Sequence, residues 1–354
     1  MALPSTAEIW PVGGAGDRLG LVDEVTGEAL PTAMLDFCGR PLLETLIRDL
    51  EAREYLAWHL TGIQHTTPVV LMTSHAKGNH RRIHAFLEDR GWMGRSPDTF
   101  MLIEQPMVPM LALEDGRWLR DAEGNPLRPL LKPGGHGALW KLMLDRQAFH
   151  WLCEKHGRSA ALVRQISNPA AGTDATLLTL AGAGVSGGKA LGFASCARAQ
   201  GATEGINVLI EKRDLTDGKV TYGVSNIEYT EFAKYRLPDH PDAYPANTNI
   251  LYVDLGRVRS VVESNPTASM PGMIFNKNKQ VVSAGQKVAA GRIETTMQNI
   301  ADFLTNRFDD ILDEKVRYHF DEIKKRMVIF SIFLSLFLSP LCLPPFPSQP
   351  LPLS

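Results

Sequence analysis

Short apolar runs alternate along the chain with segments of helical periodicity. The runs at 8–12, 68–73 and 100–104 are typical of buried strands. Behind Pro41, apolar residues recur at helical spacing between 42 and 50, which predicts a helix with the proline in its first turn. The order strand, helix, strand favours parallel pairing, because the helix returns the chain to the same end of the sheet. We therefore predict an α/β fold, a doubly wound sheet with helices on both faces.

The second half of the chain adds five apolar runs, the later ones in a hairpin-like order. They lie at 160–166, 191–194, 206–210, 220–227 and 249–253. Hairpins pair their strands in antiparallel fashion, so the complete Rossmann-like sheet is predicted to be mixed. The sequence has no internal repeat and no evident linker before residue 320, so a single domain is predicted over residues 1–320. Ligands of such sheets bind at the carboxyl ends of the strands, where the candidate motifs lie.

The last segment of the chain differs sharply in composition. No charged residue follows Arg326, and residues 327–354 combine an apolar run with six prolines. The run before Pro340 has 13 residues, and as a helix it would reach about 20 Å, short of the roughly 30 Å of a bilayer core. We expect residues 321–354 to be a non-native terminus whose residues 327–354 pack against nothing specific, with a short membrane anchor as the alternative. Because the first strand begins within ten residues of Met1, no signal or transit peptide is predicted.

Composition and charge limit the kinds of partner. Of the 354 residues, 44% are hydrophobic and 21% are charged, as in soluble globular proteins. The 37 Lys and Arg residues stand against 39 Asp and Glu, so no basic field predicts a nucleic-acid partner. The four cysteines include no Cys-x-x-Cys pair, which favours a reducing compartment over a structural zinc site. Small molecules are the expected ligands, a membrane is not an expected partner, and no feature predicts the oligomeric state.

A glycine-rich loop follows the first predicted strand. Gly13, Gly14 and Gly16 have no Cβ, so several backbone N–H groups can converge on a phosphate, with Arg18 supplying positive charge. The dinucleotide fingerprint does not fit because its third glycine comes one residue late, at Gly20, and the Lys-Ser/Thr pair of a P-loop is missing. A phosphate cradle is the interpretation that we favour, and a plain turn between strand and helix is the alternative.

The glycine loop is the first of several segments that resemble the eukaryotic UDP-sugar pyrophosphorylases, most closely those of plant and algal plastids. The resemblance covers residues 8–310 and rests on the shared order and spacing of the segments, since none is decisive alone. In chain order the segments are 13–20, 103–106, 132–137, 204–205, 228–229, 247–249, 276–277 and 294–295.

This resemblance implies a GT-A-like nucleotidyltransferase that makes UDP-glucose and pyrophosphate from UTP and glucose 1-phosphate, with Mg²⁺ as cofactor. In this reaction a sugar-phosphate oxygen attacks the α-phosphorus in line, so the site mainly positions substrates and neutralises phosphate charge. The resemblance also implies a chloroplast location and a place in sulfolipid synthesis; without it, a cytoplasmic location would be expected. Two alternatives stay open: another or broader choice of sugar, such as N-acetylglucosamine 1-phosphate, and a non-catalytic nucleotide-sugar binder.

Roles for particular residues follow from the same resemblance. Gln105 would read the uracil edge, since a side-chain amide both donates and accepts hydrogen bonds. Arg18 and Lys277 would be catalytic. Gly135 and His136 would meet the base and phosphates, although a histidine between glycines is equally suited to cap a turn. The other candidate substrate-binding residues, mostly on the sugar side, are Asn168, Glu204, Glu228, Asn247 and Asn249.

Two positions depart from the pattern of the resembled family. Thr32 stands where relatives carry a phosphate-binding lysine, and a threonine has no charge to offer. Relatives place a metal-binding aspartate two residues after a Ser-Asn pair, whereas Ala170 occupies that position here. Asp174 is the nearest carboxylate and becomes the candidate Mg²⁺ ligand. These departures are the reason for keeping a non-catalytic binder as an alternative.

Overall fold

The computed structural model describes residues 2–14, 16, 19–121, 125, 127–172, 175–199, 201–236, 244–311 and 327–331. Its strands are β1 Thr6–Pro11, β2 Asp36–Phe37, β3 Arg40–Pro41, β4 Val69–Ser74, β5 Phe100–Gln105, β6 Met107–Pro109, β7 Leu111–Ala112, β8 Leu131–Pro133, β9 Ala160–Arg164, β10 Leu191–Cys196, β11 Ile206–Arg213, β12 Val220–Ile227, β13 Ala246–Asp254, β14 Ile274–Ser283, β15 Gln286–Glu294, β16 Asn306–Phe308 and β17 Met327–Ser331. Its helices are α1 Leu42–Thr61, α2 Asn79–Asp89, α3 Leu139–Asp145, α4 Ala148–His150, α5 Thr176–Ser186, α6 Phe232–Tyr235 and α7 Leu255–Ser264.

Ten of the described strands form one mixed sheet. Its order is β16-β12-β11-β13-β9-β1-β4-β5, with β10 beside β13 and β17 beside β10. The strands β9, β1, β4 and β5 are parallel to one another. The strands β10 to β13 and β16 pair antiparallel, with β13 joining them to β9. The predicted Rossmann-like mixed α/β sheet is confirmed.

Side-chain alternation in the central strands explains why both faces of the sheet are covered. Trp10 and Leu71 pack in one core with the buried residues of α1 and α2. Their neighbours Ile9 and Val70 pack in another core with residues of α3, α4 and α7. Successive residues of a strand point to opposite faces, so strands buried on both faces need a helical layer on each side.

A long hairpin, β14–β15, joins β7 to form a separate three-stranded sheet. Its pairing runs from Ile274 opposite Glu294 to Ser283 opposite Gln286. The two residues between the strands, Ala284 and Gly285, have φ values of 50° and 77°, as a two-residue hairpin turn requires. The hairpin carries polar residues from its open end towards the carboxyl ends of β1, β5 and β9.

The described part of the apolar terminus belongs to the main sheet. β17 pairs in parallel with the outer strand β10, from Met327 opposite Leu191 to Ser331 opposite Ser195. The expectation that residues 327–354 pack against nothing specific is therefore wrong for residues 327–331, because the open edge of β10 offers a row of backbone partners. The boundary at residue 320 stays a prediction. No helix among the described residues has the length and apolarity needed to cross a bilayer.

Candidate active site

A cavity of about 520 Å³ opens at the carboxyl ends of β1, β5 and β9; we call it the glycine cavity. Six of the residues predicted from the sequence line it together: Gly13, Gly14, Gly16, Gln105, Gly135 and His136. The polar part of the lining also includes Thr32, Gln165, Ser167, Asn276, Arg292 and Glu294. The parallel strands place the ends of distant segments side by side, which is where ligands of open α/β sheets bind.

The glycine loop forms one wall of this cavity, and its glycines serve different ends. A Cβ at Gly13 would overlap the side-chain amide of Gln105, so that position must be glycine for packing. Gly16 has a φ of 60°, and a Cβ there would lie 2.7 Å from Oγ1 of Thr32. A Cβ at Gly14, in contrast, would meet only the Thr32 hydroxyl, at 3.7 Å. The loop is thus closely packed at Gly13 and at Gly16. Between them, the backbone at Gly14 is open to a ligand.

Gln105 ends β5 with its side chain against Gly13. The residue is only 6% exposed, and among the described residues its buried Oε1 has no hydrogen-bond partner. Buried polar atoms are rarely left without a partner in folded proteins. The Gln105 amide is thus held in place with a hydrogen-bond acceptor that the described residues leave free. Such an amide is suited to bind the edge of a planar heterocycle that both donates and accepts hydrogen bonds.

His136 lies in a short 3₁₀ turn after Gly135, whose φ is 93°. Nδ1 of the ring accepts a hydrogen bond of 3.0 Å from the backbone N–H of Met297. Burial lowers the pKa of His136 from 6.5 to about 4, although the nearby Glu294 carboxylate opposes the shift. At neutral pH the ring is therefore uncharged and carries its proton on Nε2. The turn-capping role and the donor role left open by the sequence are compatible, because they use different nitrogen atoms.

The opposite wall comes from the β14–β15 hairpin. Arg292 and Glu294 form an ion pair with Nη2 and Oε1 2.6 Å apart, and the side-chain amide of Asn276 donates to the other carboxylate oxygen at 3.2 Å. Arg292 is the only cationic side chain among the described lining residues. Lys277, predicted to be catalytic, is exposed and is not among those lining residues. Its catalytic role stays a prediction.

The three asparagines predicted to bind substrate form one hydrogen-bonded group, in which Asn247 and Asn249 are the two predicted at the sugar. The Asn247 amide donates to Oδ1 of Asn249 at 2.8 Å, and the backbone N–H of Asn249 donates to Oδ1 of Asn247 at 3.1 Å. Asn168 donates to the carbonyl of Thr248 at 3.2 Å, and its neighbour Ser167 lines the glycine cavity. Asn249 has a φ of 58°, a strained conformation that clusters at ligand sites.

Glu204 stands at the edge of the asparagine group. The carbonyl of the next residue, Gly205, accepts the backbone N–H of Asn247 at 2.9 Å. The Glu204 side chain itself is exposed. It lines neither the glycine cavity nor the second cavity, which contains Glu228. Its role at the sugar stays a prediction.

Glu228 lies in a second cavity, of about 710 Å³, which we call the Glu228 cavity. Six polar residues that line it are Ser225, Asn226, Glu228, Thr296, Asn299 and Asp302. Burial and the neighbouring carboxylates of Glu231 and Glu294 raise the pKa of Glu228. The Gln298 amide contacts both Asn226 and Glu228, at 3.3 and 3.4 Å. The structure therefore places Glu228 in a different cavity from the glycine loop.

A metal site is not apparent in the part of the chain that the structure describes. No group of three or more His, Cys, Asp or Glu side chains is arranged there to hold an ion. The predicted ligand Asp174 and the predicted catalytic Arg18 both lie outside the described residues. Their roles stay predictions.

Comparison with known proteins agrees with the motifs. No protein-family model matches the chain. A curated relative, UTP--glucose-1-phosphate uridylyltransferase 3, chloroplastic, of Arabidopsis thaliana, is 49% identical over 90% of this chain. Over most of its own length the chain is thus similar to that uridylyltransferase. It spans only 38% of that relative's length, so the activity and substrates of a whole pyrophosphorylase enter below as a proposal.

Solved pyrophosphorylase structures share the fold. A UDP-glucose pyrophosphorylase variant of Leishmania major, in complex with UDP-glucose, matches with a TM-score of 0.66 and 19% identity, over 93% of this chain and 62% of that chain. The uridine diphosphate N-acetylglucosamine pyrophosphorylase of Trypanosoma brucei matches with a TM-score of 0.65 and 18% identity, over 93% and 60%. At such low identity the pyrophosphorylase likeness concerns the fold, and it does not separate the two sugars.

Arg292 was the main residue that sequence reasoning missed. It stands two positions before Glu294 on the same strand, so the two side chains point to the same face. The segment 294–295 was singled out from the sequence, and this spacing alone could have brought in the preceding arginine. The contact of Asn168 with Thr248 had no comparable signal, since 80 residues separate the two.

Proposed function

We propose that this chain is the nucleotidyltransferase region of an enzyme that makes UDP-glucose and pyrophosphate from UTP and glucose 1-phosphate. The observation that carries the proposal is the composition of the glycine cavity. It combines open backbone at Gly14, the buried amide of Gln105 with an unpartnered oxygen, and the uncharged imidazole of His136. The 49% identity to a UTP--glucose-1-phosphate uridylyltransferase supports glucose as the sugar.

In the proposed reaction an oxygen of glucose 1-phosphate attacks the α-phosphorus of UTP. A new P–O bond forms, the bond to the β-phosphate breaks, and pyrophosphate leaves. Backbone N–H groups around Gly14 bind phosphate oxygens, and the Gln105 amide pairs with the uracil edge. The Nε2–H of His136 donates to a phosphate oxygen without adding a charge. Positioning of this kind is the main contribution of a protein to phosphoryl transfer.

Mg²⁺ belongs to the proposal as the cofactor that would neutralise phosphate charge. The described residues of the glycine cavity would supply few of its ligands. Among them, Glu294 is the one carboxylate lining the glycine cavity, and Arg292 and Asn276 already engage it. We keep Asp174 as the proposed protein ligand, and Arg18 and Lys277 as proposed catalytic residues.

We extend the proposal to the chloroplast and to the supply of UDP-glucose for sulfolipid synthesis. The support is the name of the Arabidopsis relative, which describes it as chloroplastic. A fluorescent fusion of the complete gene product, imaged in leaf cells, tests the location. Fluorescence confined to the cytosol would contradict this part of the proposal alone.

Pyrophosphate release tests the activity. The protein is incubated with UTP and Mg²⁺ and, in turn, with glucose 1-phosphate, galactose 1-phosphate and N-acetylglucosamine 1-phosphate. We expect release to be fastest with glucose 1-phosphate. Faster release with N-acetylglucosamine 1-phosphate would show that this sugar phosphate, and not glucose 1-phosphate, is the preferred substrate. UTP binding without release from any sugar would identify a non-catalytic nucleotide binder instead.

A further inference from the structure

The described lining of the glycine cavity is poor in positive charge for a site proposed to hold two phosphorylated substrates. Among the described residues that line it, His136 is uncharged at neutral pH and Thr32 offers only a hydroxyl. The exposed Lys277 does not line it. Backbone N–H groups supply partial charges, but a polyphosphate bound away from bulk water also calls for a full positive charge. Within the described lining, Arg292 alone can provide one.

Arg292 is held in a way that leaves donors unused. Its side chain is only 17% exposed, and its contact with Glu294 engages Nη2. Its Nε–H is buried and has no hydrogen-bond partner among the described residues. Asn276 anchors the second oxygen of Glu294, so the carboxylate that positions the guanidinium is itself fixed. A guanidinium fixed in this manner presents a planar fork of N–H groups, the geometry that binds phosphate in bidentate fashion.

We propose that Arg292 binds a phosphate group of UTP as the cation of the described lining of the glycine cavity, with Glu294 as the residue that positions it. The inference rests on the proposed function, because it takes UTP as the ligand. In this arrangement the nucleotide lies between two walls. The glycine loop contacts it through backbone, and the β14–β15 hairpin contributes the charge.

The test compares Arg292→Met with Lys287→Met, an equal loss of charge at an exposed position of the same strand. Affinities for UTP and for uridine are measured by calorimetry, together with the melting temperature. We expect Arg292→Met to weaken UTP binding roughly thirtyfold, to leave uridine binding unchanged, and to raise the KM for UTP accordingly. Lys287→Met should match the wild type in all of these measurements.

A charge added on the opposite wall gives a second readout. Thr32 faces the same cavity, so Thr32→Lys in the Arg292→Met background places a cation across from the lost one. We expect this double variant to recover at least a third of the lost UTP affinity on a logarithmic scale, while the conservative Arg292→Lys variant lies between the wild type and Arg292→Met.

The outcomes separate this inference from the proposed function. Equal UTP affinity in Arg292→Met and Lys287→Met, with pyrophosphate release intact, would overturn the role of Arg292 alone. Equal losses for UTP and uridine with a lowered melting temperature would indicate a structural role and would also overturn it. A wild-type protein that binds no UTP would refute the proposed function, and this inference with it.

Discussion

The glycine cavity and the Glu228 cavity adjoin the same hairpin but are built on different principles. The first owes its shape to missing side chains, and two of its buried polar atoms, Oε1 of Gln105 and Nε of Arg292, have no partner among the described residues. In the second, polar side chains bind one another: Asn299 contacts Asp302 at 3.1 Å and the Asn226 carbonyl at 3.0 Å. A substitution should therefore be severe where backbone forms the wall and graded where side chains share the contacts.

The two cavities also differ in the sign of their response to pH. Burial keeps His136 uncharged in the glycine cavity by lowering its pKa. Burial likewise disfavours charge on Glu228 and Asp302, but for carboxyl groups this raises the pKa. The same physical cause thus makes one cavity sensitive to acid and the other sensitive to base.

The largest expected effect is that of Gly13→Val. A Cβ at this position overlaps the Gln105 amide and lies 2.9 Å from the backbone carbonyl of Thr73. Since the backbone cannot yield easily, we expect a loss of about 3 kcal/mol in the free energy of unfolding. Urea denaturation measures it. A variant as stable as the wild type would show that the loop is not held against β4 and β5 as described.

The pH response of His136 comes next. Between pH 6.5 and about 4 the unfolded chain binds a proton at this ring that the folded chain does not. The stabilisation is complete above pH 6.5 and is lost as the pH falls, by about 2 kcal/mol at pH 5. Denaturation of the wild type and His136→Asn at pH 8 and pH 5 measures the difference. An identical pH dependence in both proteins would contradict the buried, neutral ring.

Base discrimination should depend on Gln105. In Gln105→Ala the uracil edge loses its partner, so we expect the preference for UTP over CTP to fall by about tenfold to thirtyfold. Competition binding with the two nucleotides measures the change. If the preference survives, the turn around His136 is the better candidate for reading the base.

Gly14→Val is the matched counterpart of Gly13→Val. Apart from its chain neighbours, the nearest atom of the described residues lies 3.7 Å from this Cβ, so stability should stay near that of the wild type. The added side chain projects towards the nucleotide, and UTP binding should weaken tenfold or more, about 1.4 kcal/mol. Unchanged UTP affinity in the folded variant would show that the phosphates of UTP do not bind next to Gly14.

The smallest effect is expected in the Glu228 cavity. Glu228→Gln keeps the size of the side chain and removes a carboxylate that burial disfavours. We expect the KM for glucose 1-phosphate to rise about fivefold, as for the loss of one hydrogen bond, with the KM for UTP unchanged. Steady-state kinetics with each substrate varied separately decides this. An equal rise in both KM values would contradict the role at the sugar that the sequence predicts for Glu228.

The parallel half of the fold was predictable because its residues carry one unambiguous signal. All six residues of β1 and of β4 are buried, and most of them are apolar, as expected of strands covered on both faces. The β14–β15 hairpin gave no such signal, because few of its residues are buried and polar residues are frequent on it. The glycine loop and Gln105 line one cavity. Of the wall that faces them, the sequence indicated only the segments 276–277 and 294–295, and not Arg292.

The candidate site was predictable where a role depends on residue type. At Gly13 a Cβ would overlap a neighbouring side chain, so only glycine fits. A glycine in the sequence indicates such a position. Which cavity a carboxylate enters depends on the packing of distant strands. Glu228 was accordingly grouped with the asparagines, whereas the structure places it in the Glu228 cavity against Gln298.

The β14–β15 hairpin contributes to the walls of both cavities. Its first residue, Ile274, lines the Glu228 cavity, and Asn276, two positions later, lines the glycine cavity. Any ligand that displaces the hairpin in one cavity therefore reshapes the other. The coupling between the two sites must be reciprocal. If one ligand raises the affinity for a second ligand by some factor, the second raises the affinity for the first by the same factor. Cooperativity between the substrates would need no further element than this pair of strands.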